Sequence, residues 1–284
     1  MQFVPSINLV KKADREGYAI PSFTVWNAET IKVVLETAEK LRSPVILLTG
    51  PSELMLFKPR VMAEIARVIA RDFTIPAALH LDHGNSLDLV KECIDAKYTS
   101  VMLDFSSKPY EENVNALKKV VTLAKPLGIT VEGEIGSIGR AEKYSVENGN
   151  RSGLTDPKEA KKYAKETGID MLAVSIGNAH GIYTVLPKFD FPRLKEIHEL
   201  TNIPLVLHGG SGTPVNDVKQ SIALGIRKIN VASELVQAFR EKLMKMWTNG
   251  EKLWMSIAFV EGLKVLPEIL KKWIRNLGSE GKAD

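Results

Sequence analysis

The chain has 284 residues, 44% of them hydrophobic and 25% charged, with a formal net charge of +4 and an isoelectric point near 8.9. That length and apolar content suffice for one large domain around a buried core, read as 1-284, with 251-284 as a C-terminal helical extension. The basic excess is spread among acids along 111-125 and 158-167, with no basic arm and no aromatic-interleaved basic face, which argues against nucleic acid as a partner. Cys93 is the only cysteine, so an intramolecular disulfide framework is excluded and a reducing, cytoplasmic setting is expected. It falls in the amphipathic run 87-95 and reads as a packing residue. No apolar run is long enough to span a bilayer, and the start of the chain lacks a signal-peptide core, so no membrane association is expected.

Short β-rich runs alternate with amphipathic runs of helical period. A strand at 18-24 precedes a helix at 27-42, and a strand at 44-49 precedes one at 60-72. The pairs continue as 76-82 with 86-96, 99-104 with 110-125, and 129-135 with 156-167. They end as 170-177 with 190-200, 204-208 with 214-224, and 228-232 with 234-247. Helix starts are marked at Thr155-Asp156-Pro157 and at Thr213-Pro214, where proline suits the first turn. Eight strand–helix pairs predict an α/β fold, a (β/α)8 TIM barrel with additional C-terminal helices; an open doubly wound sheet is the alternative. The polar, glycine-containing connection from Ile135 to Leu154 is long for a βα loop and reads as a lid or a disordered loop.

In this frame Asp82 and His83 end the third strand and Asp104 the fourth. Glu132 and Glu134 lie on the fifth, His180 follows the sixth, His208 ends the seventh and Asn230 lies on the eighth. These side chains converge on the rim where such barrels keep their chemistry. Three imidazoles with an open fourth position make a catalytic zinc site. The bland alternative is three separate polar loop histidines. His80 lies within a buried-looking strand, where it would stand behind a ligand. Asp82 could orient an imidazole or act as a general acid/base, and the sequence leaves both roles open. Gly209-Gly210-Ser211-Gly212 and Asn230-Val231-Ala232-Ser233 each enter a helix, where free backbone N–H groups bind phosphate; the glycine run could also be only a tight turn.

The chain resembles the class II, metal-dependent ketose-bisphosphate aldolases, in the subgroup of the tagatose- and fructose-bisphosphate enzymes. The resemblance rests on His80-Leu-Asp-His-Gly84, Ser100-Val-Met-Leu-Asp-Phe-Ser106, Val131-Glu-Gly-Glu-Ile-Gly136, Gly177-Asn-Ala-His-Gly-Ile-Tyr183, Leu205-Val-Leu-His-Gly-Gly-Ser-Gly212 and Lys228-Ile-Asn-Val-Ala-Ser-Glu234. It implies His83, His180 and His208 as ligands of Zn2+, and Asp82 as the acid/base at the hydroxyl of the bond made or broken. It further implies Gly181, Gly209, Gly210, Ser211, Asn230, Val231, Ala232 and Ser233 around dihydroxyacetone phosphate. Asp104 and Glu134 match a second, buried metal site, Glu142 matches the loop glutamate that moves the carbon-bound proton, and a monovalent cation (Na+ or K+) binds near the phosphate in many relatives.

The implied reaction is reversible cleavage of fructose or tagatose 1,6-bisphosphate to dihydroxyacetone phosphate and glyceraldehyde 3-phosphate, by a homodimer or homotetramer. The alternatives are a ketose phosphate lacking the second phosphate, or an inactive sugar-phosphate-binding barrel. Such cleavage needs an electron sink, a metal or a lysine Schiff base, and no lysine at these strand ends reads as buried. The chain departs from the family's usual pattern at Phe105, Arg140, Ala141, Ser233 and Pro267, the last near where relatives carry an arginine for the second phosphate.

Overall fold

Eight parallel strands close on themselves in the computed structural model, which describes residues 3–55, 57–141, 153–249 and 254–284. They are β1 (Ile20–Thr24), β2 (Val45–Thr49), β3 (Ala77–Gly84), β4 (Ser100–Leu103), β5 (Thr130–Ile135), β7 (Met171–Val174), β9 (Leu205–Leu207) and β10 (Ile226–Val231). Two further strands, β6 (Gly139–Arg140) and β8 (Ala179–His180), pair with each other outside the barrel. Neighbours around the barrel follow chain order, and β10 returns to β1 with Ile20 opposite Lys228 and Ser22 opposite Asn230. This is a (β/α)8 TIM barrel, and its closure excludes the open doubly wound sheet.

The helices α2 (Ala28–Lys40), α3 (Pro59–Ala70), α4 (Leu87–Asp95), α5 (Tyr110–Ala124), α6 (Pro157–Thr167), α7 (Phe191–Thr201), α8 (Val215–Ala223) and α9 (Ser233–Thr248) each follow a barrel strand. The C-terminal stretch adds α10 (Met255–Leu263) and α11 (Leu266–Asn276). Their starts follow from local chemistry. Asn27 and Thr30 form a capping box at α2, and the Asp156 carboxylate accepts from the Lys158 and Glu159 N–H groups with Pro157 in the first turn of α6. Such a cap contributes about 1 kcal/mol. At α8, Pro214 is the N-cap residue itself rather than a first-turn residue.

Strand alternation splits the interior in two. Leu47, Leu79, Val101, Val131, Leu172, Leu205 and Ile229 face outward into the layer shared with the helices. Ile46, Leu48, Ala78, Met171, Ala173 and Val206 fill the lower barrel, where they meet Leu9, Val10 and Ala13 of α1 (Ser6–Glu16). This N-terminal helix was not expected from the strand–helix rhythm. It seals the barrel floor, with Val4 N–H donating to Ala77 O at 2.9 Å and the Ser6 hydroxyl to Ser100 Oγ at 2.8 Å. Above this apolar plug the inward positions turn polar: Ser22, His80, Ser100, Glu132, Lys228 and Asn230 are all buried.

The upper end of β3 departs from regular geometry. Leu81 pairs with Val101 but Gly84 with Leu103, so β3 carries one extra residue there, and His83 takes a left-handed φ of 47°. The bulge brings Gly84 so close to β4 that an added Cβ would lie 2.4 Å from Met102 O. Gly84→Ala is therefore expected to destabilise the fold by about 1–3 kcal/mol through overpacking. Differential scanning calorimetry checks this, and an unchanged Tm would contradict the crowding argument.

Candidate active site

The open cleft lies over the C-terminal ends of the strands and encloses about 610 Å³. Its wall includes Asp82, His83, Asp104, Glu134, His180, Gly181, Gly209, Ser211, Asn230, Ala232 and Ser233, all singled out in the sequence. Three described site residues nominated from the sequence are not part of this wall: His208, which is fully buried behind it, Val231 and Gly210. Val231 points into the outer apolar layer, being the outward neighbour of Asn230, and the Gly210 N–H is already spent on Asn230 O at 3.0 Å. Glu142 lies outside the described residues. The lid segment is described only at its ends, where Ser137 N–H donates to Gly153 O at 2.7 Å and Arg140 pairs with His180. Thr24, Ser52, Glu53, Ser106, Ser107 and Arg140 are among the other residues lining the cleft; Thr24, Ser52, Glu53 and Ser107 were not singled out, because nothing in their local sequence marks them.

The β3 bulge matters here. Adjacent strand residues ordinarily face opposite sides, yet the left-handed turn at His83 lets Asp82 and His83 both line the cleft. His180 reaches the same point from β8 and His208 from just beyond β9. His83 Nε2 lies 3.1 Å from His180 Nε2 and 2.8 Å from His208 Nδ1. A tetrahedral ion with Zn–N bonds of about 2.0–2.1 Å would hold its nitrogens roughly 3.3 Å apart, so the three lone-pair nitrogens fit one zinc with small adjustment. The other ring nitrogens of His83 and His208 are anchored as those of ligand imidazoles usually are. His83 Nδ1 contacts Asp104 Oδ2 at 2.7 Å, and His208 Nε2 contacts Glu132 Oε1 at 2.8 Å. Asp104 is fixed in turn by the Ser106 N–H and hydroxyl. His83, Asp104 and Glu134 form a second group that could hold a metal.

Asp82 does not join either group; its Oδ1 accepts from Asn230 Nδ2 at 2.9 Å. The Gly209 turn on the facing wall requires glycine. Its φ is 68°, and a Cβ there would meet Ala179 O at 2.0 Å. Tyr183 Oη bridges the same two loops, accepting from Ala179 N–H at 2.8 Å and donating to Gly209 O at 3.2 Å, while Asn178 Nδ2 donates to His208 O.

One sequence expectation needs correction. Lys228 is wholly buried beneath the cleft, with Nζ 2.9 Å from Glu132 Oε2. It sits on β10 two residues before Asn230 and so shares its inward face. It does not line the cleft, so it offers no amine to a carbonyl substrate.

Burial alone would lower the His83 pKa, but the nearby Asp82, Asp104 and Glu134 carboxylates outweigh it and raise it to about 10. Burial and the adjacent His83 lower His180 to about 4, and the same causes take His208 well below the ordinary value. Burial and the neighbouring Asp104 raise Glu134 to about 8. Between pH 6 and 8 His83 thus carries the one extra proton of the triad. A metal needs its Nε2 lone pair, so that proton leaves on binding, whereas His180 and His208 have none to release. Zinc affinity is expected to rise about tenfold per pH unit across this window. Calorimetric titration in buffers of different ionisation enthalpy should report about one proton released per ion; a pH-independent affinity would contradict the assignment.

Residues 4–282 match the family of class-II fructose-bisphosphate aldolases. The chain is also similar to the YdjI aldolase from Escherichia coli K12, at 33% identity and a TM-score of 0.88 over 100% of both chains. It shares its fold with the fructose-bisphosphate aldolase of Campylobacter jejuni, at 22% identity and a TM-score of 0.81 over 99% of this chain and 97% of that one. The chain belongs to the class-II fructose-bisphosphate aldolase family and is an aldolase, a lyase of carbon–carbon bonds.

Proposed function

We propose that this aldolase is zinc-dependent and reversibly cleaves a ketose 1,6-bisphosphate, of the fructose or tagatose configuration, into dihydroxyacetone phosphate and glyceraldehyde 3-phosphate. The observation that carries the reading is the convergence of His83 Nε2, His180 Nε2 and His208 Nδ1 beside a carboxylate, Asp82, that belongs to neither metal group. When bound, zinc supplies a Lewis acid that polarises the ketone carbonyl and stabilises the negative charge left by the departing aldehyde.

The chain's own groups do the rest. Asp82 takes the proton from the hydroxyl next to the breaking bond and returns it in the synthetic direction. Asn230 holds that carboxylate by one oxygen, leaving the other for the substrate. Gly181, Gly209, Ser211, Ala232 and Ser233 form the wall that takes the phosphate of dihydroxyacetone phosphate. There Ser211 Oγ accepts from the Glu234 N–H and ties the glycine turn to the first turn of α9, whose remaining N–H groups favour an anion.

Arg140 is the only lysine or arginine among the described residues lining the cleft, and it is the group we assign to the distal phosphate. A ketose without that phosphate is the second reading. It is favoured by Glu53 in the same cleft, and by the C-terminal lysines, which are occupied elsewhere: Lys264 by Glu261, Lys271 by Glu268 and Lys272 by Glu234.

Chelation should abolish release of dihydroxyacetone phosphate in a coupled assay, and added zinc should restore it; borohydride with substrate should leave activity intact. Full turnover in chelated protein would overturn the metal reading. Asp82→Ala should retain zinc and lose a factor of about 10²–10⁴ in kcat, whereas His83→Ala should lose the metal, both judged by metal analysis beside kinetics. Arg140→Ala should raise KM for the bisphosphate while leaving dihydroxyacetone phosphate binding unchanged. If KM does not move, the ketose with a single phosphate becomes the better reading.

A further inference from the structure

Beneath the histidine triad lies a polar cluster that the proposed reaction does not use. Glu132, His80, Lys228, Ser100 and Ser6 are all fully buried inside the barrel. Lys228 Nζ lies 2.9 Å from Glu132 Oε2, an ion contact without hydrogen-bond alignment, and His80 Nε2 lies 3.7 Å from the same oxygen. Ser6 Oγ donates to Ser100 Oγ, and Ser100 Oγ lies 2.6 Å from His80 Nδ1, so the far side of the His80 ring is tied to the barrel floor. One carboxylate oxygen of Glu132 therefore faces the ammonium and His80 Nε2, while the other meets His208 Nε2 at 2.8 Å.

We propose that Lys228 is a positioning residue for the metal centre, holding the Glu132 carboxylate in the orientation in which it accepts from His208 Nε2–H and leaves the His208 Nδ1 lone pair for the ion. The inference rests on the zinc reading given above. A buried carboxylate persists only with a compensating charge, and among the described residues Lys228 is the one cation within ion-pair reach of Glu132 other than histidine. Without the ammonium, Glu132 Oε2 loses the 2.9 Å contact that fixes the carboxylate, and His208 loses the fixed partner that selects its tautomer. Loss of such an outer partner typically weakens metal binding about 10–100-fold.

The test is a mutant cycle read by zinc affinity, from competition with a chromophoric chelator, and by 15N chemical shifts of labelled His208. Lys228→Met is expected to weaken zinc about 10–100-fold, and to shift His208 away from the Nε2–H tautomer. Glu132→Gln alone should also weaken it, because the unpaired ammonium competes for the amide oxygen. Lys228→Met/Glu132→Gln removes both charges of the buried pair and still offers His208 an amide oxygen, so it should recover affinity relative to both single variants. A double variant as weak as the two losses combined, or a folded Lys228→Met with native affinity and His208 shifts, would overturn the proposal. Should Lys228→Met fail to fold, Lys228→Gln, which keeps an N–H but no charge, carries the same comparison. Failure of the wild-type protein to bind zinc would instead overturn the metal reading itself.

Discussion

The residue-long bulge at the end of β3, with His83 in a left-handed conformation, is the constraint on which the site depends. A regular strand would present Asp82 or His83 to the barrel axis, never both. The bulge places an imidazole among the triad and its neighbour's carboxylate beside it. Non-glycine residues enter that region at an energetic cost, and such strain persists where surrounding structure enforces it. Here the enforcement is visible. His83 is held at Nδ1 by Asp104, Asp104 by Ser106, Asp82 by Asn230, and the backbone at Gly84 by its close passage over Met102.

Charge is the second organising quantity. Asp82, Asp104, Glu132 and Glu134 crowd the upper barrel, two of them almost fully buried, against one buried lysine and the imidazoles. That imbalance lifts His83 toward its protonated form, and burial together with Asp104 does the same for Glu134. It is also the environment in which a divalent cation gains most, because the ion replaces a proton and offsets carboxylates that desolvation penalises. Lys228 balances the deepest carboxylate from below, so the region divides into a fixed internal ion pair and an upper site open to the cleft.

Much of this was legible in the sequence. The eight strand–helix pairs sit within a few residues of where periodicity puts them, because parallel barrel strands are short apolar runs and their helices carry strong amphipathic patterns. The strand read as 170-177 stops at Val174 because Gly177 takes a φ of 103° and Asn178 folds back to accept from Ile176 N–H. Helix α1 escaped because it stands ahead of the first strand–helix pair, and its apolar side meets the barrel floor, a surface defined only once the sheet has closed. The triad was readable because histidine beside glycine at a strand end is chemically conspicuous. Lys228 was not: lysine is almost never fully buried, and only its parity with Asn230, together with that of Glu132 with Glu134, reveals that the pair faces inward. Val231 was carried into the substrate set by its place in a motif, although the same parity turns it outward.

The central claim is that three imidazoles from separate strand ends hold one ion beside Asp82. Anomalous diffraction at the zinc edge, on crystals of the zinc-loaded protein, tests it most directly. A single strong peak is expected, bonded to His83 Nε2, His180 Nε2 and His208 Nδ1 at about 2.0–2.1 Å. An ion seated on Asp104 and Glu134 with His180 and His208 uncoordinated, or no ion at the cleft, would contradict it.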